Sequence, residues 1–257
     1  MGRITDKLLF NRVLSRWRKI AAQAPDAPLA RLRVQRSRAQ ALQRQLALVL
    51  RAADKRLTLP MEGSTQFPRT HGTDWAWRPG LWRRSAPRHG IAAAASKTRL
   101  DDDVQLFHDC NMREITFRQV RNTRPSDLAP FAMRLDVFRF EGSFLSLVVD
   151  FPAEALAGLT RDHLIRVDCA IDCEHPLEIF ARLNIKNGPN TAQLVREIPL
   201  ETHSDTLLCH VEYDLAYMEM NDKRIERIWL DLIFEAPDMN QITVRDLTLS
   251  RSLRAHL

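Results

Sequence analysis

From residue 104 onward, apolar and polar residues alternate with a period of two. Ile165, Val167, Cys169 and Ile171 alternate with Arg166, Asp168, Ala170 and Asp172. Leu177, Ile179, Ala181, Leu183 and Ile185 repeat the pattern, as do Leu207, Cys209, Val211, Tyr213 and Leu215, and then Ile228, Leu230, Leu232 and Phe234. Less regular segments at 104–108, 114–121, 133–140, 143–150, 192–198 and 241–249 also read as strands. Strands with one apolar face each pack as two antiparallel sheets, face to face. Long helices do not alternate with them, which disfavours a parallel α/β fold. The expected fold is mainly β: an antiparallel β-sandwich of the jelly-roll kind.

The punctuation fits that expectation. Phe140-Glu141-Gly142-Ser143 reads as a tight hairpin turn, and Asn187-Gly188-Pro189-Asn190 closes another loop. The apolar frame slips between Ile242/Val244 and Leu247/Leu249, so a bulge is expected around Arg245-Asp246. Short helical turns are expected near 152–159 and 217–223.

The first 58 residues follow a different period. Ile4, Leu8, Val13, Trp17 and Ile20 recur at steps of three to five, with Thr5 a candidate N-cap. Ala24-Pro25-Asp26-Ala27-Pro28 breaks that helix, and Asp26 can cap a second one with Pro28 in its first turn. Leu32, Ala39, Leu42, Leu46, Val49 and Ala53 then follow a three-four alternation. Two amphipathic helices joined by a proline turn make a hairpin arm. Three parts result: the arm at 1–58, an irregular junction at 59–103 and the sandwich at 104–257.

Charge divides the chain at the same place. Residues 1–60 hold fourteen Lys/Arg against three Asp/Glu, a net of +11, whereas the whole chain is only +6. A basic amphipathic arm suits an anionic membrane surface or a protein partner, with Trp17, Arg12, Arg16, Arg18 and Lys19 as the contact set. A packing hairpin, docked on the acidic body or self-associated into a homo-oligomer, is the competing use. Nucleic acid is disfavoured because the apolar stripe is too well kept for a phosphate-binding arm. No run approaches the length of a transmembrane helix. The first 30 residues lack the pattern of a secretory signal, so a cytoplasmic chain, peripheral at a membrane, is expected.

The junction carries the most concentrated chemistry. Three of the five tryptophans, Trp75, Trp77 and Trp82, fall within Gly72–Arg84 beside Asp74 and Arg78. On an extended segment Trp75 and Trp77 share a face. Indoles there could stack on sugar rings, with Arg78 and Asp74 orienting the ligand, or they could simply plug the loop onto the body.

Catalytic signals are weak. On a strand, His108 and Cys110 share a face while Asp109 points away. Glu212 and Asp214 could form an acid/base pair, yet period-two carboxylates are what a half-solvated strand shows. Asp101-Asp102-Asp103 reads as a solvated turn rather than a cation site. Cys169 and Cys173 lie about 13 Å apart on a strand, too far for a disulfide. Buried thiols acting as small hydrophobes are expected, and Cys110 and Cys209 fit the same role. No phosphate loop or zinc-spaced Cys/His set is present, so neither cofactor nor metal is expected.

Three segments, Gly72–Pro79, Leu106–Cys110 and Arg134–Leu147, resemble an uncharacterised family of unknown function found in roseobacter-type alphaproteobacteria. Pro176–Asn184 and Trp229–Glu235 extend the resemblance over nearly the whole chain. The closing strands, Trp229–Glu235 and Arg245–Arg251, are also similar to those of sugar-binding jelly rolls. The first resemblance implies kinship and no chemistry; the second implies a galactose-binding-like fold. The expected function is a non-catalytic protein recognising a glycan or similar polar polymer. A structural assembly component is the alternative, and a glycoside hydrolase-like enzyme the third reading.

Overall fold

The computed structural model describes residues 2–57, 67–124, 126–199 and 207–254. Two compact units result, residues 1–57 and 58–257. The first is a pair of helices, α1 (Gly2–Gln23) and α2 (Leu29–Leu57). Thr5 lies inside α1 and not at its cap, because the helix begins three residues earlier. The proline turn stands where expected: Pro28 immediately precedes α2, and its carbonyl accepts from the Leu32 amide at 3.0 Å.

The second unit is a sandwich of two antiparallel sheets. Its strands are β1 (Thr73–Trp77), β2 (Gly90–Ile91), β3 (Thr98–Asp101), β4 (Val104–His108), β5 (Ile115–Arg121), β6 (Phe131–Val137) and β7 (Leu145–Asp150). They continue with β8 (His163–Cys173), β9 (Ile179–Asn187), β10 (Asn190–Glu197), β11 (Leu207–Asp214), β12 (Ile225–Phe234) and β13 (Asn240–Leu253). One sheet runs β11-β8-β13-β6-β5-β2, with β1 also paired to β13; the other runs β10-β9-β12-β7-β4-β3. All ten strands read from the period-two pattern are present.

Two features depart from the sequence reading. Phe140–Ser143 is not a hairpin turn. β6 pairs with β5 and β13 in one sheet, whereas β7 pairs with β4 and β12 in the other, so this segment carries the chain across the sandwich. A tight turn and a sheet crossing use the same Gly-Ser punctuation. The junction, expected as irregular chain packing on the body, contains regular elements. It supplies β1 and β2 to one sheet, β3 to the other, and the short helix α3 (Gly80–Arg83).

The bulge in β13 is where the frame slip put it, between Val244 and Asp246. The extra residue lets Val244 and Leu247 both reach the core. It also turns Arg245 onto Asp127 and Asp172. The Asn187–Asn190 turn joins β9 to β10, with Gly188 at φ 62°, a backbone conformation other residues rarely adopt. At the β11 edge, the Tyr213 hydroxyl donates to the Ala181 carbonyl at 2.7 Å and so links the two sheets.

Candidate functional site

The junction residues singled out in the sequence are brought together, but chiefly by packing. Trp82, on α3, is fully enclosed, and its indole N–H donates to the Val244 carbonyl at 2.8 Å. Gln119 fixes α3 from below, its amide donating to the Leu81 and Arg84 carbonyls at 2.6 and 2.7 Å. Gly80 lets the Asp101 carboxylate approach closely, since a Cβ would lie 2.2 Å from its Oδ2 and the side chain would have to shift. Arg78 is also fully enclosed, with a two-pronged pair to Asp246 at 2.8 and 2.7 Å and its guanidinium over the Phe67 ring. Neither Trp82 nor Arg78 presents a surface to a polymer. That corrects their expected role as ligand contacts.

Asp74 is committed as well. Arg251 binds it through Nε and Nη2, the latter at 2.8 Å, and His163 lies 3.7 Å away. Burial alone would raise the Asp74 carboxyl, but Arg251 more than offsets it and holds it below the usual range. Trp75 and Trp77 do share a face. Their rings lie 6.4 Å apart and, stacked with Phe151 at 6.0 Å from Trp75, cover the core while staying half-exposed.

The candidate catalytic groups are separated by their partners. The Asp109 carboxylate accepts from the Ser143 hydroxyl and amide at 2.6 and 2.8 Å, and those bonds hold it below the usual range. His108 is buried, with Nε2 2.9 Å from the Ala94 carbonyl, and Cys110 is buried nearby. Glu212 pairs with Arg166, whereas Asp214 caps the turn at Ala216 and pairs with Arg254. Asp101 pairs with Arg84; burial and the Asp101 charge raise Asp103. Among the described residues, no group of three or more His, Cys, Asp or Glu is placed to hold a metal ion.

Cys169 and Cys173 are not partners. Cys169 instead faces Cys209 across the β8–β11 pair, Sγ to Sγ 3.1 Å. Hydrogen bonding to Cys209 and burial keep the Cys169 thiol protonated, well above its ordinary range. Buried against each other, Cys169 and Cys209 behave as packing groups.

A depression of about 440 Å³ lies on the outer face of the second sheet. On β12, Ile228, Leu230, Leu232 and Phe234 fill the core, so Arg227, Trp229, Asp231 and Ile233 point outward. Trp229 lies in register with Asn184 of β9 and Asp150 of β7. Phe107, Phe144 and Val148 complete the apolar lining. The polar groups are mostly paired. Asp231, only 4% exposed, accepts from Arg182 at 2.9 and 2.7 Å and from Asn184 at 3.1 Å. Arg227 pairs with Asp150 and lies 4.6 Å from the Trp229 ring centre. Ser146 differs. It is 5% exposed, it lines the depression, and its hydroxyl has no hydrogen-bond partner among the described residues. A buried hydroxyl without a partner costs about 1–3 kcal/mol.

Sequence reasoning passed over this face. The available signal was an indole and an isoleucine at the solvent positions of a strand whose other side is wholly apolar.

In the arm, Trp17 and Ile20 are half-buried, while Arg12, Arg16, Arg18 and Lys19 are exposed. Arg12, Arg16, Trp17 and Lys19 line a groove shared by α1 and α2. Among the described residues, no helix is long and apolar enough to cross a membrane.

No curated protein matches the chain. Similar solved structures include the family 11 carbohydrate-binding module of Clostridium thermocellum, in complex with a β-1,3-1,4-mixed-linked tetrasaccharide. It is 9% identical, with a TM-score of 0.38 over 63% of this chain and 96% of that one. The C-terminal family 22 carbohydrate-binding module of C. thermocellum Xyn10B is 8% identical, with a TM-score of 0.37 over 74% and 99%. The enzymatically active domain of bacteriophage CBA120 tailspike protein 4 is 6% identical, with a TM-score of 0.40. That match covers 59% of this chain and about a fifth (19%) of the tailspike chain. The family assignment is of another order: residues 1–257 match the model of a family of unknown function (DUF6478), and the chain belongs to that family.

Proposed function

We propose that this is a non-catalytic binding protein whose sandwich recognises a glycan or similar polar polymer on the outer face of its second sheet. Its arm attaches it to a membrane surface or a protein partner. The observation that carries the first statement is the depression lined by Trp229, Phe107 and Phe144, with the Arg182–Asp231 pair beside it. Recognition sites combine an apolar floor with a few fixed polar groups. Here the floor offers ring faces to the C–H side of a sugar. Arg182 and Asp231, locked to one another, supply the polar edge.

The paired charges leave the depression close to neutral, which suits hydroxyl-rich ligands. The test is a fluorescence titration of the full chain against neutral and acidic polysaccharides. A saturable change with one polymer class, lost in Trp229→Ala and kept in Trp75→Ala/Trp77→Ala, is the expected result. Loss confined to the Trp75/Trp77 variant would move the site to the half-exposed indoles of the junction. A flat response across the panel would remove the glycan reading.

A further inference from the structure

The arm folds without a core of its own. Between residues 9 and 50 no residue is buried, and Leu9, Phe10, Leu46 and Val49 remain 59–66% exposed. At 100° per residue, Leu9, Phe10, Val13, Leu14, Trp17 and Ile20 span one continuous arc of about 140° on α1. Arg16 lies just beyond one edge of that arc and Arg18 beyond the other. On α2, Leu42, Leu46, Val49 and Leu50 form a second arc, again with arginine at its borders. Apolar surface on this scale, rimmed by cations, needs an occupant.

Charge selects among occupants. A second copy would bring two arms of net +11 together, and the groove between the helices already carries Arg12, Arg16, Lys19, Arg31 and Arg38. A nucleic acid would neutralise the arginines but leave Leu9, Phe10, Leu46 and Val49 in water. The surface of an anionic bilayer meets both demands. Its phosphates face the rim cations while the apolar arcs sink to the headgroup boundary, a depth that also suits an indole such as Trp17. We infer that the helical arm lies flat on an anionic lipid bilayer, its two apolar arcs immersed and its arginines and lysines at the phosphates. This rests on the reading of the arm as an attachment element, and it names the partner.

The experiment is flotation of the full chain with phosphatidylcholine vesicles and with vesicles a quarter phosphatidylglycerol, at low and high salt. Sedimentation of the lipid-free chain runs in parallel. Flotation only with the anionic vesicles, weakened by salt, is expected. Phe10→Glu/Leu14→Glu should abolish it, and Arg12→Ser/Arg16→Ser/Arg18→Ser/Lys19→Ser should lower the partition coefficient by at least about tenfold. These side chains are exposed, so the variants retain the fold. No flotation, or flotation indifferent to the apolar variant, would overturn the inference. In that event a sedimenting oligomer broken by Phe10→Glu/Leu14→Glu would keep the arm as an attachment element and make its partner a second copy. A monomer would remove membrane attachment and self-association together. Polysaccharide binding depends on the other unit, so its loss or survival in the Trp229→Ala chain is read separately.

Discussion

Trp82 and Trp229 sit in two regions that differ in composition and, in the opposite sense, in physics. The junction around Trp82 gathers three indoles, an arginine and an aspartate in a short stretch. The face around Trp229 has one indole on a strand that reads as ordinary. Yet Trp82 is enclosed and its N–H is satisfied, whereas Trp229 borders a depression containing an unsatisfied hydroxyl. The density of aromatic residues in a sequence therefore marks packing as readily as recognition. What separates the two is whether the polar groups beside the ring already have partners.

The largest effect should come from removing the enclosed ring. Trp82→Ala loses a fully buried side chain and the hydrogen bond to Val244, and should cost about 3–5 kcal/mol in a denaturant titration. Polysaccharide affinity per folded molecule should be unchanged. If affinity fell while stability held, the contrast would be broken.

Arg78→Met should be nearly as damaging, about 3 kcal/mol or more near pH 7, because Asp246 would be left without its guanidinium partner. Its pH dependence sharpens the point. Burial raises Asp246, and Arg78 pulls it back only in part. The folded carboxyl thus binds its proton more tightly than the unfolded one, whose value is 3.8. Its contribution to stability is complete below that value and fades as pH rises through the raised one. The variant raises Asp246 further, so its penalty should shrink as pH is lowered from neutrality. A penalty independent of pH would show that Asp246 is not the group left exposed to the change.

On the open face, the expected order is reversed. Trp229→Ala should weaken polysaccharide binding about tenfold or more and shift the melting temperature little. Ser146→Ala is the sharper case. Removing a buried hydroxyl that has no partner should leave stability equal or slightly higher, by up to about 1 kcal/mol, while affinity falls. Loss of stability instead would mean that the hydroxyl is already satisfied in the free protein.

The smallest effect belongs to Asp109→Asn. Hydrogen bonds from Ser143 hold Asp109 below its ordinary 3.8 and organise the crossing at 140–144. That contribution is present above 3.8 and lost as pH falls through the lowered value. The melting-temperature difference between wild type and variant should therefore close in acid.

The sequence by itself determined the helical pair and the ten strands of the body, including the bulge at Arg245. Each of these depends on local periodicity and on turn chemistry, and both are written along the chain. Which strands become neighbours is not. The Gly142-Ser143 punctuation permits a hairpin or a crossing, and only the pairing of β6 with β5 and β13 selected the crossing. Period alone places Cys169 on the core face. Its neighbour across the sheet, Cys209, lies forty positions along the chain and was set by the β8–β11 register. The site followed the same rule. That Trp229 points outward is legible in the alternation of β12, and that Trp75 and Trp77 share a face is legible in their spacing. Whether an outward indole meets solvent, and whether a hydroxyl beside it finds a partner, depends on side chains from β4, β7 and β9. Burial and hydrogen-bond satisfaction are properties of residues distant in sequence, and tertiary structure alone brings those residues together.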